Sequence, residues 1–354
     1  MISRPPRVLI SYFFENDSIP LGFACKSAFE NLGFAAKGFH AQAEHRAQRL
    51  IKPANKLLKT LLFRPVDLSQ GTRWHNHTYR QAELRRAVAE FRPDLLLVIR
   101  GNSFDSNVIA ELKEEFAIRQ CVGWWVKDPR NDDQMLRDAQ IYDHYFCIHT
   151  HGYGPEDGIN HLPALGVYSD LYHPLTDRNE GELDTDLAFV GGWSERREHF
   201  LQPVLENNLK VFGPGWRKKK RLLNRSLMQR CAGSGIWGQP MVELYCRSRI
   251  VLNITSWDSS KLSGQNLRLL DVPATGAFLL TDAAPEVLEY FTPGVEIETF
   301  SSPEELLSKT RFYLANPAIR EKIARRGYER TQSLPLYEDR MSTLLSKIAW
   351  HQKA

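Results

Sequence analysis

The 354-residue sequence contains no apolar run close to the roughly 20 residues that a helix needs to cross a bilayer. Its opening stretch RVLISYFF is too short for a signal peptide and lacks a small-residue cleavage site, so no targeting segment is expected. Cysteine is scarce. Cys25, Cys121, Cys147, Cys231 and Cys246 are odd in number, far apart and without a C-x-x-C pair, which argues against a disulfide framework, a zinc site or a redox centre. A reduced, cytoplasmic compartment is the expectation. Internal repeats and low-complexity segments are missing too, and neither charge dominates: 46 Lys and Arg against 42 Asp and Glu leave +4.

Apolar residues at 42% and charged residues at 25% are the usage of a soluble globular chain. The length exceeds what one hydrophobic core usually serves, so two domains are expected. Short β-rich runs alternate with helical patterns twice along the chain. The first series holds RVLISYF, DLLLVIRG, QCVGWWV and HYFCIHT; the second holds DLAFVGGW, LKVFGPGW, RIVLNIT, AFLLTD and VEIETF. Such alternation predicts parallel sheets covered by helices on both faces. The polar, aperiodic stretch 168–185 reads as the linker. This gives a first domain over 1–170, a second over 186–332, and a helical tail over 333–354 that is a candidate to pack back on the first domain. In such sheets ligands sit at the carboxyl ends of the strands, which here would face a cleft.

Within SGQNLRLLDVPATGAFLLTD, Arg268 and Asp271 stand three apart inside an otherwise apolar helix expected to begin at Ser263 or Gly264. A helix start suits a phosphate, Arg268 adds a charge-assisted bond, and Asp271 can accept from two vicinal hydroxyls of a ribose. An i, i+3 ion pair on a helix surface is the alternative. AFVGGWSERRE ends a strand in Gly191 and Gly192 ahead of Ser194, Arg196 and Arg197, where a pyrophosphate could approach the backbone or where a strand simply turns into a helix. VFGPGW sets Phe212 beside Gly213, either to hold a flat base or to make a tight turn. In GWWVKDPR, Asp128 follows a strand among tryptophans that would raise its pKa, making it a candidate general base; an Asp-Pro turn explains it equally.

Metal-ligand spacing is weak throughout. The histidines of CIHTHG and HNH lack a companion carboxylate cluster, and DTD at 184–186 reads as linker acidity, so no metal site is expected. RKKKRLLNRSLMQR, 217–230, carries seven Arg or Lys in fourteen residues. DNA, anionic lipid, a charged glycan or bulk water could face it, and without interleaved aromatics it does not suggest a single-strand groove.

Together these segments, strongest over 186–340, resemble the CgeB-like glycosyltransferases, a spore-maturation-associated group with the two-domain GT-B fold. The first domain matches chiefly through GWWVKDP and HLPALGV. The resemblance implies two Rossmann-like, doubly wound α/β domains facing a cleft and a metal-independent glycosyltransferase without a tightly bound cofactor. Its donor would be a nucleoside diphosphate sugar, UDP-linked by preference, and its acceptor a glycan, protein or other hydroxyl-bearing polymer. Carried onto this chain, Gly192, Ser194 and Arg197 would face the diphosphate, Phe212 and Gly213 the base, and Arg268 and Asp271 the phosphate and ribose; Gly191, Ser263, Gly264 and Asn266 are further candidates for the donor site. Many relatives have Glu where Asp271 stands. A second likeness, to phage DNA β-glucosyltransferases through FVGG, VFGPG and NLRLLD, places Asp128 near a catalytic base and keeps DNA as an acceptor through the 217–230 run. A sugar-nucleotide epimerase and a non-catalytic nucleotide-sugar binding module are the remaining alternatives.

Overall fold

The computed structural model describes residues 4–15, 18–127, 132–149, 152–175, 180–217, 225–256 and 266–350. The first series of elements runs β1 (Arg7–Tyr12), α1 (Leu21–Asn31), β2 (Ala35–His40), α2 (Gln48–Leu62), α3 (Asn76–Phe91), β3 (Leu95–Ile99), α4 (Ser106–Phe116), β4 (Gln120–Trp125), α5 (Asp132–Ala139), β5 (His144–Cys147) and β6 (Ile159–His161). The second runs β7 (Thr185–Val190), α6 (Glu195–Leu201), β8 (Leu209–Phe212), α7 (Arg225–Gln229), β9 (Cys231–Gly233), α8 (Gly238–Cys246), β10 (Ser248–Asn253), α9 (Arg268–Ala274), β11 (Leu279–Asp282), α10 (Val287–Tyr290), β12 (Glu298–Phe300), α11 (Pro303–Ala315) and α12 (Pro317–Thr331). A last helix, α13 (Tyr337–Lys347), follows.

The strands form two six-stranded sheets ordered β2-β1-β3-β4-β5-β6 and β12-β11-β10-β7-β8-β9, with parallel pairing in both. Their Val, Leu and Ile runs are explained by burial on both faces. Along β3, Leu95, Leu97 and Ile99 enter a core shared with α1, while Leu96 and Val98 enter one shared with α3 and α4. Along β7, Ala188 and Val190 meet α8 and α9, whereas Leu187 and Phe189 meet α6 and α11. Each sheet is therefore doubly wound.

Strand order reverses between β1 and β3 in the first sheet and between β7 and β10 in the second. At such a switch point the flanking connections leave in opposite directions and open a crevice.

After α12 the chain crosses back to the first sheet. Val167 bridges Leu336, Val167 N–H donates to the Pro335 carbonyl at 2.9 Å, and the Tyr337 hydroxyl donates to the Ala164 carbonyl at 3.1 Å. Tyr337, Met341, Leu344 and Ile348 then complete the core that lies over β1 and β3.

Three edge strands and one helix start depart from the sequence reading, and two of those strands, β6 and β9, are only three residues long. β2, AAKGFH, is an edge strand without the branched residues that usually mark one, and it went unread. The helix expected from Ser263 or Gly264 begins at Arg268; Ser263 and Gly264 lie outside the described residues.

Candidate active site

Three strand ends of the second sheet lie side by side. Gly191 N–H donates to the Phe212 carbonyl at 2.8 Å, Gly213 N–H to the Gly233 carbonyl at 3.0 Å, and Trp193 N–H to the Pro214 carbonyl at 2.8 Å. Gly213 has φ +154°, and a Cβ there would stand 2.0 Å from the Gly191 carbonyl oxygen. Only glycine lets the two backbones approach so closely.

Ser194 caps α6, its hydroxyl accepting from Arg197 N–H at 3.3 Å. Ser194 thus serves the helix start, and it is not part of the cavity wall described below. The cap turns Arg197 back beneath the glycine pair, where Nε donates to the Ile254 carbonyl and a terminal nitrogen to the Gly192 carbonyl, each at 2.8 Å. Its neighbour Arg196 reaches Asp282 instead, at 2.9 Å.

Across the switch point, β10 ends at Asn253, 3% exposed. Its side-chain oxygen accepts from Asn266 at 2.6 Å and from Arg268 Nε at 3.1 Å, and its amide donates to Thr281 at 3.0 Å. Arg268 is thereby aimed along the same edge as Arg197. Neither guanidinium makes an ion pair with a carboxylate among the described residues. Burial, and then the charge of Arg268, hold Arg197 down at about 9, with Asp282 opposing. Two cations held close together in a half-dry crevice have the chemistry to accept an anion.

Asp271 lies on α9, 6% exposed, without the ion pair to Arg268 that its spacing allowed. Burial pushes its carboxyl well above the ordinary carboxylate range, while Arg268 and the neighbouring Tyr172 pull it part of the way back. A neutral carboxyl can donate one hydrogen bond as well as accept.

These groups line a cavity of about 360 Å³ between the two sheets. From the second sheet come Gly191, Gly192, Arg197, Phe212, Gly213, Asn266, Arg268 and Asp271, eight positions that the sequence reading had singled out from three separate segments. Trp237 and Ile236 add a flat, apolar patch next to Phe212. The facing wall consists of Tyr12, Arg100, Val126, Lys127 and Ile148, at or just beyond the carboxyl ends of β1, β3, β4 and β5. Arg100 was missed in the sequence, although a cation directly after the buried run LLLVI was a usable signal. It adopts φ +65°, stacks its guanidinium 4.9 Å from the Phe13 ring centre and depresses the Tyr12 hydroxyl, which burial nevertheless raises to about 12.

Asp128 follows Lys127 but lies outside the described residues, as do 218–224 of the basic run and His151. His149 is buried and its Nε2 lies 2.8 Å from the Lys127 carbonyl, so it braces the loop that leads to Asp128. His75 and His77 sit 3.6 Å from Asp67 and Asp105 respectively, as partly exposed pairs. Asp184 pairs with Arg247 at 2.6 Å and Lys210 at 3.3 Å, and Asp186 with Arg249 at 2.9 Å. Among the described residues no group of three or more His, Cys, Asp or Glu is placed to hold a metal ion.

Residues 196–346 match the glycosyl transferase-like family model. No curated protein matches the chain in sequence. Among solved structures, sucrose-phosphate synthase from Thermosynechococcus elongatus is similar over 97% of this chain and 99% of its own, with TM-score 0.63 and 12% identity. HepE from Anabaena in complex with UDP and glucose covers 97% of this chain and 99% of its own, with TM-score 0.61 and 10% identity. A putative UDP-N-acetylglucosamine 2-epimerase from Listeria monocytogenes covers 99% and 98%, with TM-score 0.52 and 12% identity. The two facing, doubly wound parallel sheets are the GT-B fold, and on that fold this chain carries a glycosyl transferase-like enzyme domain.

Proposed function

We propose that this chain transfers a sugar from a nucleoside diphosphate donor to an acceptor hydroxyl. The observation that carries the reading is the pair Arg197 and Arg268, brought from separate segments to the β7–β10 switch point on one wall of an interdomain cavity. Charge builds on the departing diphosphate as the sugar leaves, and fixed guanidinium groups in a poorly hydrated site stabilise it. These two cations can supply that stabilisation without a metal ion. Phe212, Trp237 and Ile236 suit a nucleobase, and Asp271 suits the ribose between base and phosphate. UDP is the favoured nucleotide because HepE, of the same fold, was solved with UDP and with UDP-glucose.

The acceptor approaches from the first sheet, past Tyr12 and Arg100. Asp128, following Lys127 of the wall, is proposed as the base that takes the acceptor proton. The order of AFVGG, VFGPG and NLRLLD supports a CgeB-like assignment within the glycosyltransferases.

Calorimetric titration with UDP and a labelled-sugar transfer assay test the reading together. Arg268→Ala should lower UDP affinity by about 100-fold, the worth of a charge-assisted contact. Asp128→Asn should leave affinity alone and remove transfer. UDP binding unaffected by Arg268→Ala would take the donor site away from this wall, and a donor that changes configuration without an acceptor would make the chain an epimerase.

A further inference from the structure

Far from the cavity, α2 has a polarity that no contact among the described residues accounts for. At 100° per residue, Leu50, Ala54, Leu57 and Leu61 fall within an arc of about 60°, and Arg49, Lys52, Lys56 and Lys59 within about 80° on the opposite side. A stripe of this kind normally faces a core. Here it faces outward: Leu50 is 80% exposed, Leu57 61% and Leu61 63%, and Phe63, next after the helix, is 94% exposed. Gln48 is the one buried residue of the helix.

The surroundings extend the pattern. Asn55 accepts from Leu68 N–H at 3.0 Å, which holds the exposed Leu68 beside the helix, and Gln48 donates to the carbonyl of the partly exposed Trp74 at 2.6 Å. Between Glu44 and Asp67 the chain has six Lys or Arg and no carboxylate. Lys52 pairs with Glu44. An amphipathic helix with leucines on one side, only cations on the opposite arc and an exposed aromatic at its end matches the chemistry of a bilayer interface: acyl chains for the leucines, anionic headgroups for the lysines.

We infer that α2, with Phe63, docks this protein on the surface of an anionic lipid membrane. A second copy stacked leucine to leucine would leave Arg49, Lys56 and Lys59, which pair with no carboxylate among the described residues, without an anionic partner, whereas an anionic surface supplies one. No helix among the described residues is long and apolar enough to cross a membrane, so attachment through α2 would be peripheral. It is independent of the chemistry in the cleft, since no residue of α2 lines the cavity.

Cosedimentation of the full chain with vesicles of equal parts phosphatidylcholine and phosphatidylglycerol, against phosphatidylcholine alone, tests this. The wild type should pellet with the anionic vesicles and stay in solution with the neutral ones. Lys56→Ala with Lys59→Ala should lower partitioning by about 30-fold. Leu57→Gln with Leu61→Gln should lower it by on the order of 10-fold or more. Both double variants should keep far-UV dichroism and UDP affinity, which shows that they are folded. The inference is overturned if the wild type ignores anionic vesicles, if the variants bind as well as it does, or if ultracentrifugation shows a dimer that Leu57→Gln with Leu61→Gln dissolves.

Discussion

Asn253 accepts a hydrogen bond from Arg268 Nε at 3.1 Å, so the last residue of β10 sets the direction of a guanidinium fifteen positions later in the chain. Asn253→Ala should therefore weaken UDP binding by about 10-fold, the value of one hydrogen bond to a charged group. Affinity should fall without a matching change in the nucleotide's spectral signature, since the base contacts remain. Calorimetry reporting wild-type affinity would show that Arg268 needs no such brace.

Asp271 ties stability to pH. An unfolded aspartate titrates near 3.9, and the folded carboxyl is raised by burial, so its neutral form is the one the fold favours. Its contribution is complete below about pH 4 and is lost as pH rises through the folded value. Asp271→Asn has no proton to lose, so its melting temperature should gain on the wild type as pH climbs above 4, while UDP affinity drops. A melting-temperature difference that stays constant from acid to neutral pH would contradict the buried, neutral carboxyl.

Gly213→Ala should be among the most damaging single substitutions. Its Cβ would fall 2.0 Å from one carbonyl oxygen and 2.4 Å from the carbonyl carbon of Gly191, both backbone atoms, with φ in a region that L-residues avoid. A loss of roughly 3 kcal/mol or more is expected, read as a shifted urea midpoint. A shift under a third of that would mean the strand ends can part.

Arg100 separates strain from function. With φ +65°, Arg100→Gly should relieve ~1 kcal/mol or more that Arg100→Ala leaves in place, so the glycine variant should melt higher than the alanine one. Both remove the cation from the cavity wall and should lower sugar transfer by about 10-fold or more. Undiminished transfer in either would place Arg100 outside the chemistry.

Much of the architecture was legible because doubly buried strands such as LLLVI and RIVLNI state their burial in composition alone. β2 was not, since an edge strand of Ala, Lys and Gly has little to distinguish it from a loop. The second-sheet wall was legible through Gly191, Phe212 and Arg268, each placed directly beyond a strand or at a helix start. What sequence could not give was adjacency: Arg100 and Trp237 reach the cavity only because the strand orders fold back at both switch points. Nor could it foresee that Ser194 would serve α6, because a serine before a helix suits a cap and a phosphate equally well.

The return of α13 to the first sheet has a consequence for how the molecule is made and how it moves. Tyr337, Met341, Leu344 and Ile348 are synthesised only after the whole second sheet, so the earlier core waits, partly uncovered, for its missing wall. Once closed, the two halves are joined by two strands of chain instead of one, the outgoing segment near Val167 and the incoming one near Leu336, which are bonded to each other. A door on two adjacent hinges swings about a single line. Two adjacent crossings of this kind restrain twisting and sliding of one half against the other.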